Sequence, residues 1–324
     1  MNLSVCAQKI AGKAVLVRLD LDLPATNDGY DTTRLEDGLE TLQFLLDKKA
    51  KSITIIAHRG QPKGKKDSKL SILPFEKLIL EKLKNPGKIP VKLRENLRFD
   101  PREEKNDPAF AKELAKGHDV FVNDAFASSH REHASIVGVP KLLTSCLGMH
   151  FEKELKFLKA CIQTPKRPVL FILGGGKPET KLQYVDLLAK RADVLLVGGI
   201  LAKSFKDTPP TNRRMIVGAL TEDGFDITQP AIDQFLRFIA MAKTIVWNGP
   251  VGKYEDIAHE AGTRTIAEAL SSSSAITVIG GGDTEAALTK FNITKGITFV
   301  SSGGGAMLEF LAHGTLVGID AVEK

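Results

Sequence analysis

Short aliphatic and β-branched runs alternate with amphipathic stretches from one end of this 324-residue chain to the other. The apolar runs are Ala14 to Leu19, Ser52 to Ala57, Asp119 to Val122, Val169 to Leu173, Asp193 to Val197, Thr244 to Trp247, Ala275 to Ile279 and Thr298 to Val300. Runs this apolar suit strands covered on both faces. Helix-like periodicity fills the intervals at Leu35 to Lys48, Ile72 to Leu83, Pro108 to Lys116, Thr228 to Ala242 and Thr263 to Leu270. Sustained alternation of this kind predicts an α/β fold: two Rossmann-like three-layer domains with mainly parallel sheets, joined by a long helix and a hinge. In such sheets ligands lie at the carboxyl ends of the strands, so the residues that follow each run carry the functional information.

Those residues differ between the two halves. The early runs lead into charged and polar groups: Asp20 and Asp22, His58-Arg59-Gly60, and Asn123-Asp124-Ala125-Phe126. The later ones lead into glycines: Gly174 to Gly176, Gly198-Gly199, Asn248-Gly249-Pro250, Gly280 to Gly282 and Gly303 to Gly305. Two domains with two binding surfaces follow, over residues 1–149 and 150–324. Residues 150–164 form the connecting helix, with Phe151, Leu155, Leu158 and Ile162 on one face and Pro165 as its stop.

The chain is long enough for two hydrophobic cores, and its 43% hydrophobic and 26% charged residues exclude a largely disordered or collagen-like chain. Its longest apolar run, Val194 to Ala202, is too short to cross a bilayer, and Met1 to Lys13 shows no secretory pattern, so a cytoplasmic location is expected. Cys6, Cys146 and Cys161 are widely spaced, as expected of reduced, buried thiols. The net charge of +6 is concentrated in the first 150 residues, which hold 25 basic against 20 acidic side chains. With aromatics at only 6%, a small anionic substrate explains that excess better than nucleic acid.

Strands that end in glycine and start a helix let backbone N–H groups approach a phosphate, and five such turns in one half favour a phosphate site over ordinary tight turns. Glu179 and Glu285 break the G-x-G-x-x-G spacing, and no Gly-Lys pair precedes Ser or Thr, so neither a dinucleotide site nor a P-loop is expected. Lys177 and Lys181, four apart, are placed to flank one anion if a helix begins near Pro178. Asp283, after the Gly280 to Gly282 turn, suits a Mg²⁺ partner beside phosphates; it suits a helix N-cap equally. In the basic half, Arg34, Arg59, Arg98 and Arg131 accompany His58, His130 and His133, which makes an anion pocket with histidine donors. Arg18 is expected in an ordinary ion pair.

These residues resemble the phosphoglycerate kinase family along nearly the whole chain and in order. The matching blocks are Val17 to Pro24, Thr33-Arg34, Ala57 to Gly64, Glu95 to Phe99, Val122 to Phe126 with His130 to His133, Gly174 to Lys181, Val246 to Gly252, Gly280 to Thr284 and Ser302 to Gly305. The resemblance implies that Asp20, Arg34, His58, Arg98 and Arg131 hold 3-phosphoglycerate, with Asp22, Arg59 and Gln61 beside them. It implies that Lys177, Lys181, Asn248, Glu255, Gly282, Asp283 and Thr284 hold ATP or ADP with Mg²⁺ on Asp283, the turns adding Gly175, Gly176, Gly199, Pro250 and Gly281. Arg34, Lys177 and Lys181 would be the catalytic cations of a glycolytic transferase that works by domain closure, as a monomer without nucleic acid or membrane partners.

Three departures bear on that implication. Asp22 stands where the family has Asn, Gln61 stands where it has Arg, and the segment between Lys206 and Lys243 is short enough that a helix and a strand are expected to be absent. The last departure predicts poor discrimination of the base. Asp22 and Gln61 leave a kinase for another acyl phosphate open as an alternative. A noncatalytic metabolite-binding descendant is the other, although Arg34, Lys181 and Asp283 are all retained.

Overall fold

The computed structural model describes residues 9–26, 29–85, 87–207, 210, 212–293 and 295–323. Cys6 and Pro209 lie outside them. Two compact units emerge: one runs to Leu155 and resumes at Thr315, and the other is Lys156–Gly314.

The first unit is built on five strands: β1 (Ala14–Arg18), β2 (Ser52–Ile56), β3 (Val91–Leu93), β4 (Val120–Asn123) and β5 (Thr144–Leu147). All pair in parallel in the order β3-β2-β1-β4-β5. The period of two divides their side chains between two cores. Val15, Val17, Ile53, Ile55, Val120 and Val122 pack on one face with Leu35, Leu42, Leu45 and Leu46 of α1 (Thr33–Asp47). Leu16, Ile56 and Phe121 pack on the other with Phe110, Ala111 and Leu114, which belong to the helix Pro108–Ala115 described below.

The next helices of eight residues are α2 (Phe75–Lys82) and α3 (Pro108–Ala115), with a four-residue helix at Pro101–Glu104 between them. Helix α3 starts where sequence signals say it should: Asp107 accepts the N–H groups of Ala109 and Phe110, and Pro108 takes the first position. The connecting helix α4 (Met149–Ile162) follows β5.

The second unit holds β6 (Val169–Leu173), β7 (Val194–Val197), β8 (Met215–Val217), β9 (Thr244–Asn248), β10 (Ile276–Gly280) and β11 (Phe299–Ser301). These six strands are parallel in the order β8-β7-β6-β9-β10-β11. Helices α5 (Leu182–Arg191), α6 (Gln229–Met241), α7 (Ala261–Ser271), α8 (Gly282–Lys290) and α9 (Gly304–His313) accompany them. One face of this sheet meets Phe235 and Ile239 of α6 and Ile266 and Leu270 of α7 around the fully buried Trp247.

Three details differ from expectation. Strand β8 lies within the segment read as shortened and joins the sheet edge beside β7, after a helix of only five residues at Gly199–Lys203. The helix expected near Pro178 begins at Leu182, after a 3₁₀ turn at Pro178–Thr180. Finally, α10 (Val317–Glu323), in the span assigned to the second domain, packs in the first unit, where the Gly318 N–H donates to Ser129 O at 2.9 Å. Gly318 fits there because a side chain would meet Ser129 and Ile136. Among the described residues no single helix is long and apolar enough to cross a membrane.

Candidate functional site

Both strand orders reverse direction once, between β1 and β4 and between β6 and β9, and ligands collect at the carboxyl edge of such reversals. The sequence-predicted residues fall at these two places.

In the first unit Asp20, two residues past β1, accepts the Ala127 N–H at 2.9 Å and the Ser128 hydroxyl at 3.2 Å, tying the ends of β1 and β4 together. Asp22 accepts the Gly60 N–H at 2.9 Å through one oxygen, and its carbonyl accepts from Arg34 at 3.2 Å. An asparagine could accept the Gly60 bond equally, so that contact does not account for the carboxylate.

Around these groups sits a concentration of positive charge. Arg98 is only 2% exposed; its Nη1 donates to Gly60 O at 2.8 Å and its Nε lies 3.4 Å from Glu104, while buried Nε and Nη2 have no hydrogen-bond acceptor. Burial first, then the charge of Arg131, pulls its pKa down to about 10. Burial and the arginines Arg98, Arg18 and Arg131 likewise push His133 down to about 3. His58 is held well below the usual imidazole range by burial, then by Arg18, Arg98 and Arg131.

Arg18 is where the expectation of an ordinary ion pair gives way. It is fully buried, and its Nη2 donates to His58 Nδ1 at 2.7 Å while Nε donates to Ser135 Oγ at 3.2 Å. A neutral histidine that accepts at Nδ1 carries its proton on Nε2, so Arg18 turns His58 into an N–H donor. The signal was available in the register: Arg18 pairs with Ile56, two residues before His58. Arg59, by contrast, is occupied. Its guanidinium stacks 4.5 Å from the Tyr30 ring and 5.5 Å from Phe75 and donates to Lys69 O at 3.0 Å. Gln61 is exposed and Arg131 half-buried.

In the second unit the turns after β6 and β9 interlock: the Gly174 N–H donates to Asn248 O at 3.0 Å and the Gly175 N–H to Pro250 O at 2.7 Å. Lys181 Nζ lies between them, donating to Gly174 O at 2.5 Å and Asn248 O at 3.3 Å. That path exists because residues 175 and 249 lack side chains; both have positive φ, +100° and +89°, and a Cβ on either would run into Lys181 Nζ. Burial lowers the lysine pKa to about 8 against the opposing pull of Asp283.

A cavity of about 300 Å³ opens beside this lysine. Of the predicted residues Gly175, Gly176, Gly199, Pro250, Glu255 and Asp283 line it. Asn248 and Thr284 are buried instead in holding the turns: Asn248 donates to Gly304 O at 3.2 Å, and Thr284 Oγ1 accepts the Gly249 N–H at 2.7 Å. Gly281 adjoins Asn248 and Thr284 at the start of α8, and Gly282 is exposed in its first turn. Neither Lys177, which is exposed, nor Lys181 is among the lining residues. Ile200, Phe225, Lys253 and Tyr254 also line the cavity and were missed. Lys253 and Tyr254 could have been found from their position between Pro250 and Glu255; Phe225 lies in the shortened segment and had no pattern to mark it.

The Phosphoglycerate kinase family model matches residues 5–212 and 210–314, its break falling in the shortened segment. The phosphoglycerate kinase of Borreliella burgdorferi strain ZS7 is 34% identical over an aligned 385 residues, covering 97% of each protein. That of Solibacter usitatus is 33% identical over 389, covering 99% of each. These aligned lengths exceed the 324 residues of this chain, in line with its shortening. Among solved structures, phosphoglycerate kinase from Coxiella burnetii superposes with a TM-score of 0.84 at 29% identity over 97% of each chain. The Pyrococcus horikoshii phosphoglycerate kinase gives 0.79 at 26% identity, over 97% of this chain and 96% of that one.

Proposed function

The chain belongs to the phosphoglycerate kinase family, and on that premise we propose that it catalyses reversible, Mg²⁺-dependent phosphoryl transfer between 1,3-bisphosphoglycerate and ADP, giving 3-phosphoglycerate and ATP in glycolysis. One observation carries the assignment of the first-unit site: Arg98, almost fully buried, with N–H groups that have no acceptor. Such a guanidinium destabilises the fold unless an anion completes its bonding. The phosphate and carboxylate of 3-phosphoglycerate supply those oxygens to Arg98, Arg131 and Arg34, and His58 donates through Nε2. The substrate hydroxyl donates to Asp22, whose second oxygen is not the one bound to Gly60, and Asp20 fixes the frame around it.

Phosphoryl transfer to or from a carboxylate needs charge neutralisation and in-line placement more than a base, because the leaving carboxylate is weakly basic. Lys181, held between the turns after β6 and β9 behind the cavity-lining Gly175, would exchange its carbonyl partners for phosphate oxygens. Lys177 adds charge from the rim, and the glycine turns add backbone N–H groups. Among the described residues no group of three or more His, Cys, Asp or Glu could hold a metal, whereas Asp283 offers one exposed carboxylate on the cavity wall. That donor set fits Mg²⁺, which takes one or two carboxylates and completes its shell with phosphate oxygens and water. Held by Asp283, the ion supplies neutralisation of the phosphate charge.

We place this activity in the cytoplasm, in a monomer with small-molecule partners only. Retention of Arg34, Lys181 and Asp283 favours a working kinase over a noncatalytic descendant. A coupled assay of purified protein in both directions tests the proposal. Turnover of 3-phosphoglycerate with ATP that EDTA abolishes is expected; no turnover in either direction overturns it, and turnover of another acyl phosphate alone transfers the assignment to that substrate class.

A further inference from the structure

His259 contributes to none of the motifs above, yet it stands between two carboxylates. Its Nε2 lies 2.7 Å from Asp223 Oδ2 and its Nδ1 lies 2.9 Å from Asp256 Oδ2. A neutral imidazole has one N–H and would turn a lone pair toward one of those anions; only the imidazolium donates to both. Asp223 belongs to a tight loop, residues 221–226, closed by Thr221 N–H to Asp226 O at 2.8 Å and flanked by the Leu220–Ile227 bridge. The other oxygen of Asp223 organises that loop, accepting from Thr221 Oγ1 at 2.6 Å and from the Phe225 N–H at 3.0 Å.

The loop is a wall with open space on both sides. Phe225, 43% exposed, lines the cavity that the glycine turns line. Behind it, Thr221, Asp223 and Gly224 border a second cavity of about 690 Å³ with Lys203 and Phe205. The far end of the loop is anchored by buried Asp226, which accepts the Gly262 N–H at 2.8 Å. Its tip is held by Lys253 N–H to Phe225 O at 2.8 Å, by the Phe225 ring packed 5.2 Å from the His259 ring, and by the link through Asp223.

We propose that His259 is a positioning residue for nucleotide binding, its imidazolium clasping Asp223 to Asp256 and so fixing the loop whose Phe225 ring faces the bound nucleotide. This rests on the reading of the glycine-lined cavity as the nucleotide site. The charged groups around His259 are predominantly anionic. Asp223 and Asp256 bond it and Asp226 lies within electrostatic range. The neighbouring Glu260 is engaged by Arg264 and Lys290. The Lys253 and Lys203 ammonium groups lie over the Phe225 ring, 5.4 and 5.6 Å from its centre. The hydrogen bonds to Asp223 and Asp256 raise the imidazole pKa above its ordinary value. The clasp is therefore complete below the ordinary value and is lost as pH rises through the raised one.

The test is calorimetric ADP affinity of the full chain, wild type against His259→Gln, from about pH 5.5 to about pH 9. Lys181 titrates in both proteins, so the ratio of their affinities isolates the clasp. The ratio is expected to favour the wild type by about two- to fivefold in acid, the range exposed ion pairs span, and to approach unity in base. Asp256→Asn removes one anion and should move the midpoint to lower pH, and 3-phosphoglycerate affinity should not follow the ratio. Side-chain NMR reads the His259 titration directly, so the inference stays testable should the glutamine variant fold poorly. A ratio constant with pH, or an NMR midpoint at or below that of free imidazole, overturns the inference. ADP binding without kinase turnover would leave it standing while removing the proposed reaction; no ADP binding at all would remove both.

Discussion

Replacing Gly249 by Ala places a methyl where the turns after β6 and β9 cross. The backbone there has φ +89°, and the new Cβ would run into both the Gly174 carbonyl and Lys181 Nζ. The lysine tip can swing aside, but the carbonyl belongs to the backbone and holds the neighbouring turn. Strain at such a φ is on the order of 1–3 kcal/mol, and overpacking against fixed atoms adds a similar amount. A net loss of about 3 kcal/mol shifts Tm by about 6–12 °C for a unit of this size. Gly176 is the control, because a Cβ there meets nothing within 4 Å, and Gly176→Ala should melt with the wild type. Thermal unfolding of the three full-length proteins, followed by circular dichroism, reads the difference. ADP affinity should also fall in Gly249→Ala, since Lys181 is displaced from between Gly174 O and Asn248 O. If Gly249→Ala melts within about a degree of the wild type, the crossing of the turns is not the rigid frame described above.

Arg18→Met should weaken 3-phosphoglycerate binding about five- to thirtyfold by releasing the His58 tautomer, with ADP affinity unchanged; equal loss of both ligands would indicate a folding defect instead. Arg34→Ala should lower kcat far more than 3-phosphoglycerate affinity, a split that steady-state kinetics beside calorimetry resolves. Because Arg59 is occupied by Tyr30, Phe75 and Lys69 O, Gln61→Arg should tighten 3-phosphoglycerate by about 1 kcal/mol at its exposed position, and calorimetry showing no gain would mean Arg59 already serves the anion. GTP should be used with kcat/KM close to that of ATP, because among the residues lining the cavity beside Phe225 there is no amide or hydroxyl side chain except Tyr254; a strong ATP preference would mean that main-chain groups read the base.

Legibility tracked how local each signal was. Strands β6 and β9 were found with ends within a residue because five consecutive buried residues leave an unambiguous run. Strands β3, β5 and β8, three or four residues long, lack the glycine run that marks the end of the equally short β11. Helices α8 and α9 begin on glycines, whose poor helix propensity hid them inside the turns. The glycine turns and the basic half were visible as composition at strand ends. What escaped depended on distant partners: Arg18 meeting His58 across forty residues, and His259 meeting Asp223 across thirty-six. Lys181 was chosen for its spacing from Lys177, yet its place comes from threading between two turns after a helix start four residues later than expected.

Helix α10 gives the order of synthesis a physical meaning. It contacts β5 and the π-helical turn at Ala134–Gly138, and its Gly318 is bonded to Ser129, so the first unit is closed by residues made after the whole of the second unit. Vectorial folding can complete the sheet β6 to β11 while the earlier sheet still lacks one of its packing elements. The nascent first unit therefore waits, partly uncovered along Ser129 and Ile136, until residues 317–323 have been made. Deletion of residues 317–323 should then be felt as a folding defect in the half of the molecule made first.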